Sequence, residues 1–169
     1  MYLAKSIAGI AFAATIVFAR SPHLNKVDKL FLSSAAHDEM TEAHLGQMAE
    51  ANAEKSAVKD FAAKLDREDS EAYSSLTALA AKEGAAVPKG IDIRRNTPVG
   101  ELTHLKGGRF DGEFLKVEVR ENRATLAVFK REARYGRDAE LKAYASKEIP
   151  TLEGQLRSAE ALMKSNRQG

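Results

Sequence analysis

The sequence predicts an all-α fold: four long helices forming two helical hairpins joined by a long crossover. Three observations carry this. Apolar residues recur at helical spacing over four stretches, Val27 to Ala51, Val58 to Leu79, Phe110 to Val128 and Leu141 to Met163. The middle of the chain, residues 84–108, is punctuated instead by Gly84, Pro88, Gly90, Pro98, Gly100, Gly107 and Gly108. The chain also repeats itself. Shifted by 83 positions, Phe31-Leu32 falls on Phe114-Leu115, Asp38 on Glu121, Leu45 on Val128, and the run Val58 to Lys64 on Leu141 to Lys147.

The first residues read as a secretory signal. Lys5 supplies the positive charge, Ile7 to Phe18 is apolar, and Val17-Phe18-Ala19 fits the small-residue rule for cleavage. The apolar run falls short of the roughly 20 residues a spanning helix needs. The expectation is a signal peptide over residues 1–19, cleaved after Ala19, and a periplasmic or secreted single domain over residues 20–169. With 44% hydrophobic residues, that length holds one real core. Its formal charge falls from +2 to +1 when Lys5 is removed with no acid, so the chain is not built to coat nucleic acid. There is no cysteine, which excludes disulfides and thiolate metal sites.

Asn25 is placed to cap the first helix, which runs to about Ala51. Its stripe Phe31, Ala35, Asp38, Glu42, Leu45 and Ala49 carries two acids in the middle of an apolar seam. After a break at Asn52 to Glu54, Val58, Phe61, Ala62, Leu65, Ala72, Leu76 and Leu79 mark the second helix, ending near Gly84. The crossover is long enough to run the length of a helix, with Leu102 and Leu105 pinning a short helical turn. The third helix spans about Arg109 to Tyr135. Gly136 closes it, Asp138 caps the fourth, and Pro150 is expected to kink that helix without ending it. Two related hairpins joined by one long crossover are a ferritin-like four-helix plan.

That plan frames the candidate chemistry. Di-metal sites in such bundles take acids from two helices and Glu-x-x-His pairs from the others. Asp38, Glu42, Asp69 and Glu121 are the candidate ligands for iron or manganese, with Asp38 expected to be the most buried. The competing reading makes them seam-edge acids paired with Lys or Arg. Histidine is scarce. His37 and His44 are seven residues apart, about 10 Å along the axis, and the Glu101-Leu102-Thr103-His104 pair lies in the crossover. A basic row on the third helix, Lys116, Arg120, Arg123, Lys130, Arg134 and Arg137, could dock on an anionic envelope surface. Its alternative is a solvated face paired with acids, including the Asp66 to Glu71 run. No nucleophile elbow or phosphate loop occurs.

Taken in order, Phe31-Leu32-x-x-Ala35, Met40-Thr41-Glu42-Ala43-His44-Leu45-Gly46, Val58-Lys59-x-Phe61-Ala62, Leu105-x-Gly107-x-x-Phe110-Asp111, Leu126-Ala127-Val128-Phe129 and Leu141-Lys142-x-Tyr144-Ala145 with Pro150-Thr151-Leu152 resemble the bacterial exported domain-of-unknown-function family 4142. The resemblance implies a ferritin-like bundle in the periplasm or outer envelope without an established reaction. It also implies histidines that this chain replaces by Asp69, Asn122 and Gln155, which are expected to form a polar core network instead. The expected function is that of an envelope or stress-related accessory protein acting by binding. No cofactor is expected; the alternatives are a di-iron or di-manganese carboxylate protein handling oxygen or peroxide, and an anionic-lipid-docking module. Nothing in the residues names a protein partner, and a homodimer is one assembly the bundle allows.

Overall fold

The computed structural model describes residues 24–93 and 96–167, and all regular structure in them is helical. The expected signal peptide lies outside the described residues. Four long helices, α1 (Lys26–Asn52), α2 (Ser56–Lys82), α4 (Gly107–Tyr135) and α5 (Ala139–Asn166), are joined by a crossover that carries the short α3 (Thr97–Leu102). Asn25 caps α1 through Oδ1, which accepts from the N–H groups of Val27 (2.6 Å) and Asp28 (3.0 Å), and Asp28 returns the bond to Asn25. Asp138 caps α5 by accepting from Leu141 N–H (2.8 Å). α5 runs through Pro150 unbroken, with the proline exposed.

Each long helix is antiparallel to its two neighbours. The pairing α1 with α4 is fixed by a reciprocal clamp. Asp111, at the start of α4, accepts from the backbone N–H groups of Glu54 (2.9 Å) and Lys55 (3.0 Å) in the α1–α2 turn. Asp28, at the start of α1, accepts from Arg137 (2.8 Å) and Asp138 (3.2 Å) in the α4–α5 turn. Residues 28 and 111, 54 and 137, and 55 and 138 each differ by 83, so the clamp is the sequence repeat expressed as a two-fold arrangement. Both aspartates are fully buried. Each satisfies N–H groups that a tight turn would otherwise leave without partners.

The apolar core comes in two parts. Toward the α1–α2 turn, Leu45, Phe61, Leu65, Phe110 and Phe114 pack together with Val99 and Leu102 of α3. Toward the α4–α5 turn, Phe31, Leu76, Phe129 and Leu141 do the same, with the Phe31 and Phe129 rings edge to face at 5.0 Å. The crossover passes over α1. It is held on the α2 side by Tyr73, whose hydroxyl donates to Pro88 O (2.8 Å), and on the α1 side by Asn96, whose Nδ2 donates to Thr41 Oγ1 (2.8 Å).

Gly46 is where α1 and α2 come closest. A Cβ there would stand 2.8 Å from the Ala62 carbonyl oxygen and 2.9 Å from the Asp66 nitrogen, both backbone atoms that cannot swing aside. Gly to Ala in a helix interior ordinarily stabilises by about 1 kcal/mol. Here the sign is expected to reverse: Gly46→Ala should cost about 1–3 kcal/mol, read as a lower urea midpoint at unchanged slope.

Candidate functional site

Between the two apolar parts, every long helix places a polar side chain in the core. α1 supplies Glu39 and Glu42, α2 supplies Asp69, α4 supplies Glu118 and Asn122, and α5 supplies Gln155, all of them buried. Helical spacing of three or four puts both members from α1, and both from α4, on one face. Gln155 Nε2 donates to Asp69 Oδ1 (3.1 Å) and Glu68 Oε2 (3.3 Å), while Asn122 Nδ2 donates to the carbonyl (3.1 Å) and Oε2 (3.3 Å) of Glu118. Glu42 and Glu118 hydrogen-bond to each other.

No Lys or Arg is buried among the described residues, so the layer has no cation of its own in the core. Charged carboxylates cannot persist there without compensation, and they respond by holding protons. Burial, with the neighbouring Asp69 and Glu121 charges adding to it, pushes Glu118 up to about 8. Burial likewise raises Asp69 to about 7 against the Gln155 hydrogen bond, and lifts Glu39 and Glu42 well above the usual carboxylate range. Glu42 Oε2, Asp69 Oδ2 and Glu118 Oε1 have no hydrogen-bond partner. At the α4–α5 turn Glu132 is raised as well, burial and the adjacent Asp28 pushing it up to about 8, while Asp28 itself is held below its ordinary value.

One side of the layer opens into a cleft of about 290 Å³ between α1, α4 and the crossover. Asp38, Glu42 and Glu121 line it together with Thr41, Asn96 and Thr125. Thr125 Oγ1 donates to Asp38 Oδ2 at 3.5 Å, and His37 lies 3.7 Å from Asp38 Oδ1. Burial, partly offset by His37, raises Asp38 to about 6.

Of the four acids singled out from sequence, Glu42 and Asp69 are thus in the buried layer. Asp38 and Glu121, the pair matched by the repeat, face each other across the cleft with side chains 31% and 27% exposed. Asp38 is therefore not the most buried acid of α1. Its sequence neighbour Glu39 takes the core position facing α2 and α5, with Asn122 at the matching position of the repeat, and the buried acid of the layer on α4 is Glu118, three residues before Glu121. Asp69 and Gln155 meet directly, whereas Asn122 bonds to Glu118 instead of completing a triad with them.

These residues do not fit a di-metal centre. Among the described residues, no three His, Asp or Glu side chains converge closely enough to hold an ion. Imidazoles are also missing from the layer: His37 and His104 are exposed and His44 is only partly covered.

The basic row on α4 is largely paired. Lys116 binds Glu113 (2.8 Å), Arg120 binds Glu101 (3.0 Å) and Glu121 (2.7 Å), Arg123 binds Glu160 (2.6 Å) and Lys130 binds Glu153 (2.8 Å). Arg134 stacks over Tyr135, and Arg137, which lies past the end of α4, gives its backbone N–H to Asp28. The partner acids come from α3, α4 and α5, not from the Asp66 to Glu71 run of α2. α2 lies diagonally across the bundle from α4, out of reach of that row.

Residues 13–162 match the family model described as a domain of unknown function, DUF4142. The chain belongs to the DUF4142 family. The crystal structure of a DUF305 fragment from Deinococcus radiodurans superposes on this DUF4142 chain with a TM-score of 0.74 and 14% identity, over 85% of this chain and 99% of that one. At that identity the likeness is one of fold. No curated protein matches the DUF4142 chain. None of its described helices is long and apolar enough to cross a membrane.

Two features of the DUF4142 fold escape the sequence pattern. Asp28 and Asp111 act on turns more than fifty residues away in sequence, and only the 83-residue offset hints at them. Glu39 and Glu118 are hidden because α1 and α4 each pack on two neighbours, so buried positions fill more than one stripe.

Proposed function

We propose that this protein is an exported accessory protein of the bacterial envelope, of the envelope-maintenance or stress-related kind, built on a ferritin-like four-helix plan and acting by binding and not by catalysis. The observation that carries this reading is the acid-lined cleft. It is a preformed concavity at the lower end of small-ligand pocket size, roughly 300 Å³, floored by side chains held in place by the bundle. The envelope assignment rests on the N-terminal signal pattern and on the family resemblance.

A di-iron or di-manganese carboxylate protein is the rival, because three of the four long helices bring buried acids to one level, with α5 adding Gln155. Against it, among the described residues no three His, Asp or Glu side chains converge, and none of the described histidines lies in the buried layer. Elemental analysis of protein purified without a histidine tag separates the two. The expected result is iron and manganese far below one equivalent and no consumption of peroxide. Near-stoichiometric metal that disappears in Asp38→Ala and Glu121→Ala would overturn the binding reading. The anionic-surface role of the α4 row is not favoured, since four of its six cations are already neutralised by acids.

A further inference from the structure

The crossover meets the seam between α1 and α4 along only part of its length, where Asn96, Thr97 and Pro98 line the cleft together with His37 and Thr125. Toward the start of α1 the seam is open among the described residues. There Val27, Leu30 and Ser34 of α1, with Val128 and Arg131 of α4, line a small groove of about 140 Å³. The end of α4 continues this face, because Asn25 Nδ2 donates to the Tyr135 carbonyl (3.2 Å) and Tyr135 follows Arg131 by one helical turn. Large side chains with apolar surface are exposed here: Leu30 is 46% and Tyr135 57% accessible.

Charge at this end of the seam has one sign. Residues 26–37 of α1 and 124–137 of α4 and the turn after it contain Lys26, Lys29, Lys130, Arg131, Arg134 and Arg137, all exposed. The acids of the same stretches are Asp28 and Glu132, both fully buried. Asp28 is occupied by the N–H groups of the α4–α5 turn, so neither acid reaches the surface to neutralise a cation. Lys130 is taken by Glu153 of α5. Lys26, Lys29, Arg131 and Arg134 form no ion pair among the described residues. Apolar groups ringed by cations that no acid neutralises are what an interfacial membrane anchor presents.

Resting on the envelope reading above for the membrane it meets, we propose that this face, Lys26, Lys29 and Leu30 of α1 with Arg131, Arg134 and Tyr135 of α4, docks the chain on an anionic lipid bilayer. The cations take lipid phosphates, the arginines through paired N–H donors. Leu30 and the Tyr135 ring enter the headgroup layer between them, where amphipathic side chains settle at a membrane interface. A bilayer supplies phosphate and hydrocarbon to one face, which is the combination this surface offers. Sequence order brings the same face to the membrane, since Ala19, at the end of the apolar leader, is separated from Lys26 by at most about 25 Å of chain. This is a different surface from the basic row along α4. The four cations of that row that acids neutralise take no part, and Arg134 is the residue the two share.

The test is co-sedimentation of the exported chain, residues 20–169, with phosphatidylcholine vesicles that contain or lack phosphatidylglycerol. Binding is expected only with phosphatidylglycerol, and it should weaken at least tenfold, roughly, when added salt shortens the Debye length from about 10 Å to about 3 Å. Lys26→Gln, Arg131→Gln and Arg134→Gln combined should weaken it by roughly 100-fold, at about fivefold for each cation. The charge-matched set Lys59→Gln, Lys64→Gln and Arg67→Gln on α2 should change it by less than about threefold. All six side chains are exposed, and circular dichroism checks that both sets fold. Leu30→Ser and Tyr135→Ser should weaken binding and leave its salt dependence in place. In the unaltered chain, spin-labelled lipid should broaden the amide signals of Leu30, Arg131 and Tyr135 first. No binding, equal binding to neutral vesicles, equal loss in the two charge sets, or broadening centred elsewhere would overturn the proposal. So would binding to polyglutamate as tight as to vesicles, which would assign the face to an acidic protein. Failure of vesicle binding leaves the envelope and cleft readings standing, whereas a native chain recovered in the cytoplasm on fractionation would remove the envelope reading and leave the vesicle result.

Discussion

Raising the pH from about 5 to about 9 is expected to destabilise this protein by several kcal/mol, opposite to the usual behaviour of carboxylate-rich domains. Asp69 and Glu118 titrate near 7 and near 8 in the folded chain because they are buried without a cation, whereas in the unfolded chain such groups titrate at about 4. Between those limits the folded state binds more protons than the unfolded state, so stability falls as pH rises. The contribution is complete below about pH 4 and is lost as pH passes through the folded values. A carboxyl that titrates one pH unit higher in the folded chain than in the unfolded chain contributes about 1.4 kcal/mol. Two groups displaced by about three pH units each represent a sizeable part of the roughly 5–15 kcal/mol that holds a domain together. Coupling between neighbouring acids reduces the simple sum. Urea melts across that range are the measurement. Glu118→Gln, which keeps the shape and can still donate to Glu42, should flatten the curve and raise stability at the alkaline end. Asp28 acts in the opposite sense. Burial raises its pKa, but the N–H donors of Asn25, Asp138 and Arg137, together with Glu132, outweigh that and hold it below the ordinary value. Its contribution is present at neutral pH and is lost only as pH falls into the acid range.

The second large effect belongs to the reciprocal clamp. Asp111→Ala should cost about 3–5 kcal/mol, because two charge-assisted bonds are lost and the N–H groups of Glu54 and Lys55 are left without their acceptor. Asp28→Ala should cost a similar amount, and it also removes the partner of the Glu132 acid. Asn at either position retains one acceptor oxygen and should cost about half as much. The clamps lie at opposite ends of helices about 40 Å long, so the losses should add in the double variant. Denaturant titration reads all five variants. Strong coupling between the two sites would show that the bundle ends do not act independently.

How far the residues alone disclose this arrangement depends on what each helix packs against. α2 and α5 bury one narrow stripe, and their apolar period places Val58, Phe61, Leu65 and Leu76, or Leu141, Ala145 and Leu152, where the structure has them. α1 faces α2 on one side and α4 on another while the crossover covers a third. Its buried set therefore includes Glu39, Thr41 and Glu42 as well as Phe31, Ala35 and Leu45. A single stripe drawn through Asp38 and Glu42 cannot tell the core face from the cleft face, so it makes Asp38 the deeper acid. The 83-residue repeat correctly pairs Asp38 with Glu121, since both line the cleft. It cannot identify Glu118, whose repeat partner is Ala35. The clamp aspartates look like ordinary acids near helix starts, and their partners are set by tertiary contact.

Near neutral pH the mid-bundle acids hold protons that ordinary carboxylates have lost, because among the described residues no Lys or Arg is buried beside them: at pH 7 Glu118 is mostly protonated and Asp69 about half so. Carbon-13 NMR titration of the side-chain carboxyls reads this directly. Glu118 should titrate with a midpoint near 8 and Asp69 near 7, both moving to ordinary values only on unfolding. Midpoints between about 4 and 5 in the folded protein would contradict it.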